Sequence, residues 1–435
     1  MRLNASRSSV AAAPPLGDEA FGRLNAVDAR PVAVAVSGGG DSLALLLMAA
    51  DWSARAGRPL IVLTLDHRLA PAGARWAGFV GERARRLGLP HRTLVWDRAR
   101  PATGLPAAAR AARHGLLAEA ARAAGARVIL MGHTADDLAE VQVMRLWGAS
   151  LPSPREWSPS PIWPQGRGVF LLRPLLAIRR AALRDWLSSL GERWIEDPAN
   201  EDAAYARARA RRRLAGGGEA AAAAAPAPPA FLADLREGPG GELVAPRAAF
   251  SHADDAAARR WLAALVLSAS GTARPPRGPA LQRLLERMRA PGGFVSSLAG
   301  ARIEAGAGEA LFCREPGELR RCGPSAAPLA QGESVFDGRF SIVASAPGSL
   351  IAPLAGQSRR LAAAARARLR AVAAPARPGL PAITTADGRT RCPVVEPGPT
   401  GISAAPLAGQ RLLAALGAIA DEAAIGRVAK RAAGA

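Results

Sequence analysis

The stretch Pro31-Val32-Ala33-Val34-Ala35-Val36-Ser37-Gly38-Gly39-Gly40-Asp41-Ser42-Leu43 decides the reading of this chain. A short, continuous apolar run ends in three glycines and then opens an apolar segment with helical spacing. Runs of that length, rich in Val, Ile and Leu, suit strands buried on both faces. Similar runs recur at 60–65 (LIVLTL) and 127–131 (RVILM), with further candidates at 91–96 and 168–172. Between them, 42–56, 74–87, 106–124 and 179–190 read as helices. Strand–helix alternation predicts an α/β domain with a parallel sheet and right-handed crossovers.

The glycines let backbone N–H groups converge on one point without Cβ obstruction. The helix N-terminus behind them adds a partial positive field for an anion. Ser37 and Ser42 add hydroxyls. Asp41 is unusual there, since a carboxylate repels phosphate; it suits Mg²⁺ or a backbone cap. The stretch is neither G-x-G-x-x-G nor Walker A, because the lysine is missing. The plain structural alternative is a Gly-rich turn with Asp and Ser as helix caps.

A second constellation, Gly132-His133-Thr134-Ala135-Asp136-Asp137-Leu138-Ala139-Glu140, follows the run at 127–131. Thr134 is placed to cap a helix, with Asp137 three residues on. Asp137 and Glu140 then share a face. In a parallel sheet both loops open on one crevice at the C-terminal ends of the strands. Carboxylates there suit a cationic substrate or Mg²⁺. The alternative is that Asp136 and Asp137 only complement the helix dipole.

Basic residues number 57 against 36 acidic, a net charge of +21. Residues 1–215 hold 31 against 19, and the excess continues beyond. This favours a polyanionic partner, although an Ala/Arg/Gly/Pro bias in the gene would produce the same excess. Cys313, Cys322 and Cys392 form no disulfide framework, and the first 312 residues contain no cysteine. No apolar run reaches the length of a membrane span and no signal peptide is read, so a cytoplasmic protein without a membrane partner is expected. The segment 215–230, AGGGEAAAAAAPAPPA, reads as a linker. Beyond it, 231–290 reads as mainly helical, 293–314 as short strands, and 408–433 as one helix.

The S-G-G-x-D-S pattern at 37–42 resembles the PP-loop ATP pyrophosphatases. Within them the chain resembles the tRNA(Ile)-lysidine synthetases, through Asp66-His67, Ala109-Arg110-Ala111-Ala112-Arg113-His114, G-H-T-A-D-D-L-A-E at 132–140, and Trp194-Ile195-Glu196-Asp197-Pro198 followed by Tyr205-Ala206-Arg207. The match covers roughly 25–215. It departs at Ala208, where the family usually has Asn, and at Trp147-Gly148-Ala149-Ser150, where R-G-S-G is usual. A Pro/Trp-rich loop follows at 151–167; its Trp157 and Trp163 either pack the loop down or stack on a base. Thiolase relatives need cysteines near the PP-loop, and none is present.

The resemblance implies an α/β PP-loop domain of the adenine nucleotide α-hydrolase type, then a helical region and a small α+β C-terminal region. It divides the chain into a flexible tail (1–24), catalytic domain (25–214), linker (215–230), helical tRNA-recognition domain (231–318) and C-terminal tRNA-binding domain (319–435). It implies ATP-dependent ligation of free L-lysine to C2 of cytidine 34 in tRNA(Ile) with a CAU anticodon. Ser37, Gly38, Gly39, Gly40, Asp41 and Ser42 would bind ATP, and Asp41 and Asp136 would hold Mg²⁺. Asp137 and Glu140 would bind lysine; Asp41, His133, Asp136 and Arg113 would act in catalysis. Arg110, Arg207 and Arg211 would meet tRNA, a solvated helix face being the alternative. A fragment 1–215 is expected to bind ATP but lose tRNA affinity. The oligomeric state stays open, a homodimer being one option. The competing readings are another PP-loop adenylating ligase, which would not need tRNA for pyrophosphate exchange, and a non-catalytic RNA-binding protein with a decayed loop.

Overall fold

The computed structural model describes residues 13–69, 71–97, 101, 103–149, 151–198, 202, 204–214, 227–397 and 401–434. The chain forms two units: residues 1–225 with 420–425, and 226–419 with 426–435.

The first unit is built on β1 (Val32–Ala35), α1 (Gly40–Ala56), β2 (Leu60–Asp66), α2 (Gly73–Arg86), β3 (His91–Val95), α3 (Leu105–Ala123), β4 (Val128–Met131), α4 (Ala135–Leu146), β5 (Trp157–Pro159), β6 (Phe170–Leu172), α5 (Arg180–Ser189) and α6 (Ala206–Leu214). Its sheet runs β3-β2-β1-β4-β6-β5. All neighbours are parallel except edge strand β5, which pairs antiparallel with β6. The fold class is as read. From β1 the chain winds outward to β3, then α3 carries it back to β4 on the other side of β1. The order therefore reverses between β1 and β4, and a crevice opens beyond their C-terminal ends. Buried Val32, Ala33, Val34, Ile129 and Leu130 form the middle of the sheet. Leu43, Leu45, Leu46, Ala49 and Trp52 bury α1 on several sides.

Three expectations change here. Residues 1–12 lie outside the described residues, but the rest of the expected tail is packed: Phe21 is buried and stacks on Trp52 with ring centroids 5.2 Å apart. The Pro/Trp-rich stretch contains β5, whose Trp157 is buried and stacks on Phe170 at 4.9 Å. Trp157 therefore packs the edge of the sheet and is not offered to a base, while Trp163 keeps part of its surface exposed. Third, residues 420–425 belong to this unit. Glu422 and Arg58 form an ion pair at 2.7 Å with both side chains fully buried. A fragment ending at 215 therefore lacks part of the first unit.

In the second unit, 231–290 is not wholly helical. Arg236–Glu237 and Leu243–Pro246 join Phe294–Leu298, Ala301–Ala305 and Glu309–Arg314 in one antiparallel sheet. The helices Asp255–Ser270 and Gly278–Arg289 bury Leu262, Leu265, Leu285 and Met288 in the same core. A second core, around Phe340, Ile342, Leu369 and Leu380, serves two further small sheets. The expected helix 408–433 is two, Ala408–Ala415 and Glu422–Gly434. Gly417, with φ +81, lies in the break. The expected linker falls at 215–226 outside the described residues, while Phe231 is already core. The three cysteines are free thiols. Among the described residues no helix is long and apolar enough to cross a membrane.

Candidate active site

The loop between β1 and α1 turns at Gly38, whose φ of +91 is left-handed. A Cβ there would also lie 2.4 Å from Ile195 Cδ1, so glycine is needed twice over. Ile195 N donates to Gly38 O at 2.9 Å, and the Trp194 ring lies over Gly40. The Trp194–Pro198 motif thus lids the phosphate loop from one side. Ser42 Oγ accepts from Ser37 N at 3.2 Å and donates to Gly39 O at 2.9 Å. These bonds hold the turn closed on itself. From the other side, Gly132 meets the loop so closely that a Cβ would sit 3.1 Å from Asp41 O and Ser42 Cα. The two sequence motifs therefore touch through backbone.

Thr134 and Asp137 form the reciprocal cap expected for α4. Asp137 Oδ2 accepts from Thr134 N at 2.8 Å. What the sequence reading missed is Arg180, the first residue of α5. Its Nε donates to Asp41 Oδ2 at 2.8 Å, its Nη1 to Glu140 Oε1 at 3.3 Å, and its Nη2 lies 3.8 Å from Asp137 Oδ2. Its backbone N donates to Asp136 Oδ2 at 2.7 Å. One guanidinium thus gathers three predicted carboxylates, and its backbone amide takes the fourth. A signal existed: Arg179-Arg180 opens a helix, where cations oppose the macrodipole. Such a placement needs nearby anions.

The acidic side is more enclosed than its spacing suggested. Glu140 is 0% exposed. Arg211 Nε donates to its Oε1 at 2.9 Å and Arg207 Nε lies 3.6 Å from Oε2. Arg207 Nη2 also stands 3.4 Å from Asp137 Oδ1. The Arg207 and Arg211 side chains keep 40% and 37% of their surface, so they form the outer wall. The solvated-face alternative for these two does not hold: both turn onto α4 carboxylates. Ala208, where the motif has Asn, is buried. Arg113 Nε reaches His67 Nε2 at 3.3 Å. Arg110 and Arg113 keep exposed surface, yet burial of their guanidinium ends, followed by repulsion from each other and Arg207, lowers the pKa of Arg113. Crowded like charges of this kind suit an anion.

Titration follows from these contacts. Burial pushes the Asp41 carboxyl up, with Arg180 opposing it. Burial would raise Asp137 too, but His133, Arg207, the Thr134 amide and Arg180 hold it below the usual range. Burial would weaken Arg180 as a cation, but Asp41, Asp137 and Glu140 outweigh this and strengthen it. His133 is pushed well down by burial and then by Arg173. Arg173 Nε donates to His133 Nδ1 at 3.2 Å, and is itself held by Arg155 O at 2.7 Å and Ser158 Oγ at 2.9 Å. The β5 segment therefore sets the ring's tautomer. A neutral imidazole with Nδ1 occupied is poorly matched to removing a proton from an ammonium. The expected catalytic role of His133 is better served as a neutral hydrogen-bonding group.

His67 is pushed down to about 4 by burial and then Arg113, and His114 to about 3 by burial and then Arg110. A depressed histidine is neutral in both states at pH 7. As pH falls below about 6.5 the unfolded chain binds the proton first, so stability is lost from there down to about 4 for His67 and about 3 for His114. Urea midpoints should therefore fall steadily between pH 6.5 and 4.5. His114→Gln, though less stable at pH 7, should show a shallower decline. An unchanged pH slope would refute the assignment.

Among the described residues no group of three or more acidic, His or Cys side chains forms a ready metal site. Mg²⁺ needs fewer, since it keeps waters and takes substrate phosphates. Asp41 Oδ1 fits: it is buried and has no hydrogen-bond partner. Asp136 fits less well, because Oδ2 takes the Arg180 amide and Oδ1 lies 3.7 Å from Arg179.

Comparison with known proteins agrees with this geometry. The family described as the PP-loop domain matches residues 18–216. The tRNA(Ile)-lysidine synthase of Caulobacter vibrioides is 47% identical over 84% of this chain and 87% of its own length. That of Hyphomonas neptunium is 38% identical over 73% and 90%. That of Mesorhizobium japonicum is 34% identical over 75% and 76%. With a nucleotide loop lidded at 194–195, a carboxylate cage on α4, and identity at this level over most of its length, the chain belongs to the tRNA(Ile)-lysidine synthase family.

Proposed function

We propose that this protein uses ATP to join the ε-amine of L-lysine to C2 of the wobble cytidine of tRNA(Ile) carrying a CAU anticodon. The reaction has two displacements. The cytidine O2 attacks the α-phosphorus, the O2–P bond forms, and pyrophosphate leaves. The neutral lysine amine then attacks C2, the C–O bond to AMP breaks, and the amine loses a proton. The observation carrying this reading is the meeting of the Ser37–Ser42 loop with the α4 carboxylates in one crevice.

The amides of Gly38, Gly39 and Gly40 and the α1 N-terminus favour the phosphates. Asp41, through Oδ1, would hold Mg²⁺, with Asp136 as a more remote support; the ion would neutralise phosphate charge. Arg110 and Arg113 supply cations for the RNA phosphates. Lysine's ammonium is best served by Asp137 Oδ1, whose partner Arg207 stands at 3.4 Å and is partly exposed. Glu140 backs it with charge from behind three arginines. The second unit, with its own cores, supplies tRNA recognition in this scheme, and the reaction is placed in the cytoplasm.

Asp137→Asn should raise the lysine KM roughly tenfold to a hundredfold, the scale of one charge-assisted bond. ATP binding should hold. An unchanged lysine KM would place the cation pocket elsewhere. The overall test is mass spectrometry of tRNA(Ile) nucleosides after incubation with ATP and lysine, together with pyrophosphate exchange. Exchange without tRNA favours a ligase acting on a small acid, and binding without exchange a non-catalytic RNA-binding protein.

A further inference from the structure

Helix α6, Ala206–Leu214, reads ARARARRRL and contains five arginines and no acid. Arg207 and Arg211 turn inward to the α4 carboxylates. Arg209, Arg212 and Arg213 are exposed. Being three and four apart, they share a helix face. With Trp147 they line a surface hollow of about 660 Å³. Trp147, at the end of α4, is 51% exposed, and its neighbour Leu146 is 86% exposed.

We infer that this hollow is a docking subsite for an unpaired RNA nucleotide, its base stacked on the Trp147 indole and its flanking phosphates held by Arg209, Arg212 and Arg213. The inference rests on the RNA-modifying reading above and names a contact that reading does not require. Three guanidiniums on one face repel one another and gain most from a polyanion. An indole beside them gains from a flat aromatic surface. Single-stranded nucleic acid offers both at the spacing of one residue, since every base has a stacking face. A duplex keeps its bases stacked internally and would leave the indole unused. An acidic peptide would satisfy the arginines alone.

The position is also suited to a substrate strand. Asp136 and Trp147 lie eleven residues apart along α4, about 16 Å at the helical rise of ~1.5 Å per residue. The helix thus separates the reacting crevice from the hollow by a few nucleotides. A nucleotide held there anchors the strand whose cytidine enters the crevice, without touching the reacting atoms.

The test is binding of full-length tRNA(Ile) to the full-length protein, by filter retention across a salt series. Trp147→Ala should weaken binding roughly tenfold to a hundredfold at fixed salt. Trp147→Phe, which keeps a ring, should recover most of the loss. Arg209→Gln, Arg212→Gln and Arg213→Gln combined should flatten the slope of log affinity against log salt by about 2. ATP binding and thermal midpoint should stay at wild type in all. Wild-type affinity in Trp147→Ala, or Trp147→Phe as weak as Trp147→Ala, overturns the stacking subsite. Displacement of tRNA by poly-glutamate as readily as by single-stranded RNA of equal length overturns the choice of RNA. If the wild type forms lysidine while Trp147→Ala binds normally, only this subsite fails. If the wild type neither binds tRNA nor forms lysidine, the functional reading fails with it.

Discussion

Asp41→Asn will lower tRNA-dependent ATP–pyrophosphate exchange by roughly 100- to 1,000-fold, while the thermal midpoint of the protein changes little. The size is that of removing one preorganised electrostatic group from a developing charge. Asp41 holds Arg180 at 2.8 Å through one oxygen and presents the other, buried and unpartnered, beside the phosphate loop. Asparagine keeps the shape and an oxygen for Arg180. It removes the negative charge suited to Mg²⁺. Arg180 keeps Asp137 and Glu140 as anions, so the cage itself survives. Exchange within threefold of wild type would show that Asp41 serves only to hold Arg180. Arg180→Ala is the informative contrast. It leaves the buried carboxylates facing one another with fewer cations, so it should lose both stability and exchange.

Glu422→Ala will destabilise the first unit by about 3–5 kcal/mol, the cost of leaving one member of a buried ion pair alone. Arg58 reaches Glu422 with two nitrogens, at 2.7 and 3.2 Å, and its Nη1 and Nε also reach Asn25 O and Arg30 O. Glu422 in turn accepts from Asn25 N at 3.0 Å, and its own N donates to Arg23 O at 3.0 Å. The 420–425 segment therefore completes the polar wiring of residues 23–30. Buried Ala424 and Ile425 add apolar packing. Ending the chain at 419 should have at least the same effect. The double variant Arg58→Met/Glu422→Leu removes both charges and should recover most of the lost stability. Urea denaturation of Arg58→Met, Glu422→Leu and the double variant, alongside Glu422→Ala, measures this. If the two single losses simply add in the double variant, the pair is not coupled and the segment is a surface attachment.

Much of the first unit was legible in sequence because its signals are local. A strand buried on both faces must be apolar throughout, so β1, β2 and β4 stood out within a residue or so. The Ser37–Ser42 turn was legible because a left-handed residue at 38 demands glycine, and the Thr134–Asp137 cap because its partners are three residues apart. β5 was not legible: a three-residue edge strand among prolines has no period to read. The break at 416–421 was missed because Gly417 is its one breaking residue and the segments on both sides are rich in helix-forming alanine.

The sequence by itself determined the chemistry available: a phosphate loop, a capped helix bearing carboxylates, and a surplus of basic charge carried almost wholly by arginine. Only the tertiary structure decided which charges meet. Arg180 finds Asp41 across 139 positions, and Glu422 finds Arg58 across 364. An arginine on a solvated face and one inside a cage have the same local sequence pattern. What distinguishes them is desolvation, which forces a buried charge to find its counter-charge. That pairing depends on where the sheet brings distant segments. It closed Glu140 behind Arg180, Arg207 and Arg211, made His133 a neutral partner of Arg173, and left Arg209, Arg212 and Arg213 facing outward beside Trp147.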